Sequence, residues 1–206
     1  MTDQDTPGDE PPSRSPALRT PAGAHFDAVE LDVLDATSRL APAVRDRFCD
    51  RFAAALHEIR GGNGDGAGTV GGEVRVKIVG DAEMARLHAE HKGDATTTDV
   101  LTFDLSGDRG ERDGDPVVVL DVDLVLCLDE AERQASARGH EAGLELLLYA
   151  VHGVLHCVGF DDLDDASATA MHAEEDRVLE AIGVGAVFGR PEVGAAGSDV
   201  GSGGER

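Results

Sequence analysis

The sequence predicts an α+β fold in which a small mixed β-sheet of about four strands packs against about five helices. Two observations support this prediction. Alternating apolar and polar residues, typical of half-buried strands, occur mainly in the first two thirds of the chain, whereas helical periodicity dominates the last third. Early strands and late helices, with one mixed stretch between them, indicate a small sheet that is backed by helices.

Four segments have the pattern of strands. The first is AVELDVLDA at 28–36, and the second is EVRVKIV at 73–79, in which every other residue is charged. A shorter candidate, DVLTF, covers 99–103. The clearest alternation runs through VVVLDVDLVLC at 117–127, and we expect this segment to be the best-formed strand of the sheet.

Five segments have helical spacing or helix-ending signals. The predicted helices cover roughly 44–59, 81–91, 129–138, 140–158 and 165–182. The glycine-rich stretch GGNGDGAGTVGG predicts a flexible linker, and the Asp/Gly-rich stretch that ends at Asp115 predicts a loop.

Composition predicts the limits of the folded part. Residues 1–24 are rich in Pro, Ser, Asp and Thr, and residues 189–206 are rich in Gly and Ser, so we expect disordered tails there. Between them, 25–188 form one predicted domain, because a chain of 206 residues is long enough for a single ordinary core.

The charge of the chain excludes some partners. A formal net charge of -23 opposes unselective binding to nucleic acid or to anionic membranes, so any RNA-directed role must depend on a local site. The sequence has no secretory signal pattern and no apolar run of about 20 residues, and we therefore expect a cytoplasmic protein with no membrane partner. Its three cysteines, Cys49, Cys127 and Cys157, form no CxxC pattern and are expected to be reduced thiols.

The most informative stretch is HGVLHCVGFDD, which begins at His152. Residues four apart lie on one face of a helix, so the imidazoles of His152 and His156 can converge on one ion. Gly159 can adopt a left-handed conformation that ends the helix and turns the chain back, which places Asp162 to be the third ligand. Three protein ligands with one open position are typical of a catalytic zinc site.

Two other interpretations of this stretch are possible. His152 and His156 could be hydrogen-bonded core residues of an apolar helix, but the correctly spaced glycine and carboxylate disfavour that interpretation. The ligand spacing HxxxHxxGxxD also matches metzincin proteases, whose general base is a Glu directly after the first His. Here that position is Gly153, so the spacing alone does not predict a protease.

Several motifs in the same order resemble the YbeY family of metal-dependent bacterial endoribonucleases. The stretch from His152 to Asp161 resembles the family hallmark HGxLHxxGxDH, with Asp162 in the place of the usual third His. Upstream, TDVLTF at 98–103 and DLVLC at 123–127 resemble two strands of the family, and 171–183 resemble its final helix.

The resemblance implies a function and a ligand set. It implies a zinc-dependent, single-strand-specific endoribonuclease that acts in small-subunit ribosomal RNA 3′-end maturation and in ribosome quality control. One Zn²⁺ ion would be held by His152, His156 and Asp162. Ribosomal RNA would be the partner, together with small-subunit ribosomal proteins. The family's phosphate-directed Arg corresponds here to Lys92, which is the predicted catalytic residue and supplies charge without the planar fork of Arg.

Other roles remain open from the sequence alone. Arg75 and Lys77 could follow an RNA backbone or simply form an ordinary charged strand face. Asp99 and Asp123 could orient a ligating imidazole or be plain strand-end carboxylates. A metalloprotease and a non-catalytic, metal-stabilised ribosome-assembly factor are the alternatives to the nuclease.

Overall fold

The computed structural model describes residues 29–59, 69–107, 110–112 and 115–187. The strands are β1 (Val29–Asp35), β2 (Thr69–Val79), β3 (Val100–Asp104), β4 (Gly110–Arg112) and β5 (Asp115–Cys127). The helices are α1 (Pro42–Glu58), α2 (Asp81–Lys92), α3 (Leu128–Arg138), α4 (Ala142–Cys157) and α5 (Asp165–Ala181). The predicted disordered tails, 1–24 and 189–206, lie outside the described residues, so that they remain predictions.

All five described strands form one mixed sheet, with the order β1-β2-β5-β3 and with β4 paired to β5. The β1–β2 and β2–β5 pairs are parallel, whereas β3 and β4 run antiparallel to β5. In the centre of the sheet, Leu124 of β5 lies between Val76 of β2 and Thr102 of β3. The predicted α+β class, with a small mixed sheet and five helices, is confirmed.

The two faces of the sheet are covered unequally. On one face, the alternate residues Val74, Val76 and Ile78 of β2 point into the main core. Apolar residues from α1, α4 and α5 pack into the same core. On the other face, Met84 of α2 covers a smaller cluster that includes Val125. Helix α4 is therefore buried along most of its length, and this burial fixes the position of any site that it carries.

The structure corrects two predictions about loops. Strand β2 begins at Thr69, inside the predicted flexible linker, and pairs there with β5 from Thr69↔Val117 to Gly72↔Leu120. Gly72 has φ +124°, and a Cβ at this position would lie 2.0 Å from the Leu120 carbonyl oxygen. The glycine that suggested a linker is thus required by close strand pairing, which uses main-chain groups that no side-chain pattern reveals. The rest of the predicted linker, 60–68, lies outside the described residues.

The second correction concerns the predicted Asp/Gly-rich loop that ends at Asp115. It contains β4, whose three residues pair with the first residues of β5, from Gly110↔Val117 to Arg112↔Asp115. Strand β5 accordingly begins at Asp115, two residues before the predicted strand. Among the described helices, none has the length and hydropathy that crossing a membrane requires.

Candidate metal centre

Two histidines of α4 face each other one helical turn apart. The Nε2 atoms of His152 and His156 are separated by 3.1 Å, and the two ring centroids by 4.6 Å. Both side chains are partly exposed, although the apolar neighbours Val151, Val154 and Leu155 on the same helix are fully buried. The histidines therefore lie at the margin of the core, where the interior of the helix meets a cleft.

A carboxylate after the end of α4 completes the group. Gly159 has φ +104°, a left-handed conformation that reverses the chain directly after the helix. This reversal brings an oxygen of Asp162 to 3.8 Å from Nε2 of His152 and another to 3.9 Å from Nε2 of His156. The loop is ordered by Asp161, whose Oδ1 accepts hydrogen bonds from the main-chain N–H groups of Asp162 and Leu163.

The hydrogen bonds of the other ring nitrogens orient both imidazoles. Nδ1 of His156 lies 3.2 Å from the main-chain oxygen of Phe160, which can only accept, so Nδ1 carries the proton. Nδ1 of His152 lies 2.8 Å from Oε1 of Glu175. With Nδ1 of each ring engaged in this way, the two Nε2 atoms face each other and Asp162.

This arrangement fits a divalent metal ion. One ligand atom from each of His152, His156 and Asp162 lies within 4.8 Å of the others. A tetrahedral zinc with ligands at about 2.0–2.1 Å separates them by about 3.3 Å, which is close to the 3.1–3.9 Å found here. Two imidazole nitrogens and a carboxylate oxygen facing one another form a site that a cation stabilises. The structure thus brings the three predicted ligands together, and their role as ligands remains a prediction.

Glu175 of α5 is a site residue that the sequence did not predict as such. It is 2% exposed and binds His152 from the side opposite to the candidate metal position. Ligating histidines usually donate their second N–H to such a carboxylate, which fixes the tautomer and the orientation of the ring. A signal was present, because Glu175 stands at helical spacing among the buried residues Met171, Val178 and Leu179 of α5.

The two aspartates that were considered for this orienting role have other hydrogen bonds. Oδ1 of Asp99 accepts from the main-chain N–H of Val100 and from the Thr98 hydroxyl. Asp123 forms an ion pair with Arg75 on the sheet face that α2 covers only in part. Neither aspartate is hydrogen-bonded to His152 or His156, so the carboxylate that orients His152 is Glu175.

Electrostatics around His152 favour positive charge. Burial disfavours the charged ring, yet the hydrogen bond to Glu175 and the negative charges of Glu175, Asp162 and Asp99 together raise the pKa of His152. The same negative field favours a bound cation at Nε2. The local charge therefore agrees with the ligand geometry.

The histidines open into a cleft of about 390 Å³ that Lys92 also lines. Lys92 is the last residue of α2, and the left-handed Gly93, with φ +75°, ends the helix directly after it. Asp99, Val100, Leu101, Thr102 and Asp104 form another part of the lining. The structure thus places the predicted catalytic Lys92 in the same cleft as two of the predicted metal ligands, His152 and His156.

Lys92 differs from nearly all other basic residues of the described part of the chain. Of the Lys and Arg side chains that the structure describes there, only Lys92 and Arg51 are without a carboxylate partner. Arg51 lines a separate pocket between α1 and the start of α4. In a chain of net charge -23, an unpaired cation beside the candidate metal is available to an anionic substrate.

The charged strand face does not offer comparable cations. Arg75 forms ion pairs with Glu73, Asp121 and Asp123, and Lys77 with Glu83. These pairs favour the interpretation of an ordinary charged surface over one that follows an RNA backbone. Carboxylates outnumber cations among these paired side chains, so their net negative charge would repel phosphate.

Gly153 has a packing role that bears on the protease alternative. A Cβ at this position would lie 2.7 Å from Oγ1 of Thr102 and 2.9 Å from Cδ2 of Leu124. The glycine lets α4 approach β3 and β5 closely, and a larger side chain at this position would require Thr102 or Leu124 to shift. The packing therefore disfavours the general base that a metzincin protease has next to its first His.

Fold and site together define a protein with a candidate three-ligand metal centre at the edge of an α+β core. The family model described as Endoribonuclease YbeY matches residues 45–183. The chain therefore belongs to the YbeY family of endoribonucleases, and the resemblance noted in its motifs is confirmed.

Two relatives, from Sphingopyxis alaskensis and Bacillus licheniformis, agree with this membership. An Endoribonuclease YbeY from Sphingopyxis alaskensis is 35% identical over 163 residues, which are 78% of this chain and 92% of the relative. One from Bacillus licheniformis is 32% identical and covers 75% of this chain and 95% of its own length. A solution structure from Thermotoga maritima aligns with a TM-score of 0.46 and 21% identity, over 75% of this chain and 88% of that one.

Proposed function

We propose that this protein is a zinc-dependent endoribonuclease that cleaves single-stranded RNA, with His152, His156 and Asp162 as the metal ligands. The observation that carries the proposal is that His152 and His156, which lie beside Asp162, line one cleft together with the unpaired cation of Lys92. Zinc commonly takes two imidazoles and a carboxylate, and three protein ligands leave one position open for chemistry. Family membership supports RNA as the substrate.

The residues of the site have distinct tasks. Bound zinc supplies Lewis-acid polarisation of the phosphate and of water. Glu175 and the Phe160 carbonyl hold the two imidazoles with Nε2 towards the ion. Lys92 binds a non-bridging phosphate oxygen and stabilises the negative charge that grows during cleavage.

We further propose that the substrate is the 3′ end of small-subunit ribosomal RNA, and that the enzyme acts in ribosome maturation and quality control in the cytoplasm. The acidic surface makes long-range attraction of free RNA weak. Docking on basic small-subunit ribosomal proteins would instead bring the cleft to its RNA. If ribosomal proteins hold the enzyme next to its RNA, the single exposed cation of Lys92 beside the metal is enough to bind the phosphate.

The principal experiment tests metal dependence and substrate class together. Purified protein is incubated with ribosomal RNA and, separately, with casein, with and without a chelator, and zinc is then added back. We expect cleavage of RNA alone, loss of cleavage with chelator, and recovery with zinc. His156→Ala and Asp162→Ala should bind less zinc and cleave at least 100-fold more slowly.

Two matched variants control for nonspecific effects. His57→Ala and Asp50→Ala remove the same kinds of side chain from exposed positions of α1 and should behave like the unmodified protein. RNA cleavage that is indifferent to chelator and to both ligand variants would overturn the nuclease proposal. Zinc binding without any cleavage would instead support the non-catalytic assembly factor, and cleavage of casein would support the protease.

A second experiment tests the substrate. An oligonucleotide with the sequence of the small-subunit ribosomal RNA 3′ end is compared with the same oligonucleotide annealed to its complement. If the proposed single-strand specificity is correct, the single strand should be cut at least tenfold faster than the duplex. Equal rates would contradict single-strand specificity and leave the metal-dependent cleavage intact.

A further inference from the structure

Two buried polar atoms without a hydrogen-bond partner lie on one cavity behind the metal centre. Within the described part of the chain, they are the only buried side-chain polar atoms that lack a partner: the hydroxyl of Tyr149 and Oε2 of Glu175. Both residues line a cavity of about 190 Å³, whose lining also includes Asp99, Arg138 and His152. Their coincidence in one cavity indicates that the two groups belong to one hydrogen-bonding arrangement.

The position of Tyr149 on α4 suits such an arrangement. It lies three residues before His152 and therefore on the same face of the helix. It is 8% exposed, and Glu175 approaches the same face from α5. The cavity thus joins the group that orients His152 to a hydroxyl one helical turn away.

The chemistry of the two atoms is complementary. Oε2 of an ionised Glu175 can only accept hydrogen bonds, and leaving a buried carboxylate oxygen without a donor is costly. Burial, followed by the negative charges of Glu145 and Asp99, raises the pKa of Tyr149, so the hydroxyl keeps its proton and can donate. Arg138, a donor that lines the same cavity, already binds both oxygens of Glu145.

We propose that Tyr149 is a positioning residue of the metal centre, whose hydroxyl donates through solvent in this cavity to Oε2 of Glu175 and so fixes the carboxylate that orients His152. A cavity of about 190 Å³ has room for bridging water, which needs only about 10–15 Å³ of probe-occupied volume for each molecule. The inference rests on the metal site within the proposed function and does not depend on RNA cleavage.

A double-mutant cycle on metal affinity tests the inference. Zinc dissociation constants are measured by chelator competition for the unmodified protein, Tyr149→Phe, Glu175→Gln and the double variant. We expect Glu175→Gln to weaken binding about 10–100-fold. Tyr149→Phe, which removes only the hydroxyl, should weaken it about three- to tenfold. In the Glu175→Gln background, Tyr149→Phe should have no further effect, because the amide nitrogen that replaces Oε2 cannot accept.

Two results would overturn the proposal. One is a Tyr149→Phe variant that binds zinc as tightly as the unmodified protein. The other is the same loss from Tyr149→Phe in both backgrounds, since additive effects mean that the two side chains do not act through each other. A protein that binds no zinc at all would refute the metal site itself and thus the proposed function.

If the protein binds no zinc, a spectroscopic measurement still tests the hydrogen-bonded link between Tyr149 and Glu175. Tyr149 is the only tyrosine and the chain has no tryptophan, so the tyrosine absorption and fluorescence report on this residue alone. In metal-free protein, Glu175→Gln should shift the tyrosine spectrum, whereas Glu180→Gln, at an exposed position of the same helix, should not. An unchanged spectrum in Glu175→Gln would refute the hydrogen-bonded link.

Discussion

Nδ1 of His152 lies 2.8 Å from Oε1 of Glu175, a residue 23 positions further along the chain on a different helix. The carboxylate is almost fully buried, and its hydrogen bond holds Nε2 of the same ring towards His156 and Asp162. The geometry of the candidate metal centre therefore depends on the packing of α5 against α4 as well as on the three proposed ligands.

The length of the Glu175 side chain should matter for zinc affinity as much as its charge does. Glu175→Asp keeps the charge but shortens the side chain by one methylene, so the hydrogen bond to His152 is lost. We expect zinc affinity to fall about 10–100-fold in this variant, measured by chelator competition. Exposed Glu180→Asp on the same helix is the matched control. Full affinity in Glu175→Asp would mean that charge alone suffices and that the ring needs no orienting bond.

Close packing at Gly153 leads to a prediction about stability. Gly153→Ala should gain up to about 1 kcal/mol of helix propensity. It should lose more through overpacking against Thr102 and Leu124, which typically costs about 1–3 kcal/mol. We therefore expect a net fall of about 1 kcal/mol in the free energy of unfolding, measured by urea denaturation.

A second substitution identifies the contact responsible. Thr102→Ala removes the atom that a Cβ of residue 153 would approach most closely. In the Thr102→Ala background, Gly153→Ala should therefore cost less than it does alone. If Gly153→Ala is stabilising, or if its cost is the same in both backgrounds, the close approach of α4 to β3 does not explain the glycine.

Local rules predicted much of this site, and non-local packing accounts for what they missed. The convergence of His152 and His156 follows from helical spacing, and Gly159 and Asp162 follow within six residues. Glu175 depends on how α5 packs against α4, and Gly72 depends on the pairing of β2 with β5. A single sequence does not reveal such contacts, because they are determined by residues far apart in the chain.

The same distinction holds for the fold. Alternation of apolar side chains predicted the sheet where one face is buried, as in β2 from Val74 to Ile78. It missed the first residues of β2 and all of β4, where main-chain pairing creates the strand. The place of Lys92 beside the metal ligands came only from the family resemblance, because nothing in its local sequence distinguishes it from a surface lysine.

Cys127 gives the protein a predicted sensitivity to alkaline pH. The residue is fully buried, and burial raises the pKa of its thiol from the ordinary value of 9.0 to about 11. Between these values the unfolded state binds fewer protons than the folded state. The free energy of unfolding should therefore fall as pH rises through this window, by roughly 2–3 kcal/mol from this group.

Other groups also titrate in this pH range. Comparison with Cys127→Ala therefore isolates the contribution of Cys127 to the pH dependence of stability. At pH 7.5 the variant should be less stable than the unmodified protein by about 1 kcal/mol, since it leaves a small cavity. The difference should shrink or reverse towards pH 10.5, where only the unmodified chain has a thiol to ionise. A constant difference across the whole range, measured by urea denaturation, would refute the raised pKa.

Lys92 should contribute to RNA cleavage through its charge and its position in the cleft. Lys92→Ala should lower kcat about 10²–10³-fold with zinc binding unchanged, the scale that loss of one charge-stabilising donor produces elsewhere. Lys92→Arg should retain most activity, because a guanidinium keeps the charge and binds phosphate through two parallel hydrogen bonds. Arg51→Ala is the control, since Arg51 is the other cation without a carboxylate partner among the described side chains and lines a different pocket. Equal losses in Lys92→Ala and Arg51→Ala, measured on the same single-stranded RNA, would mean that overall charge governs the reaction and that Lys92 has no specific role.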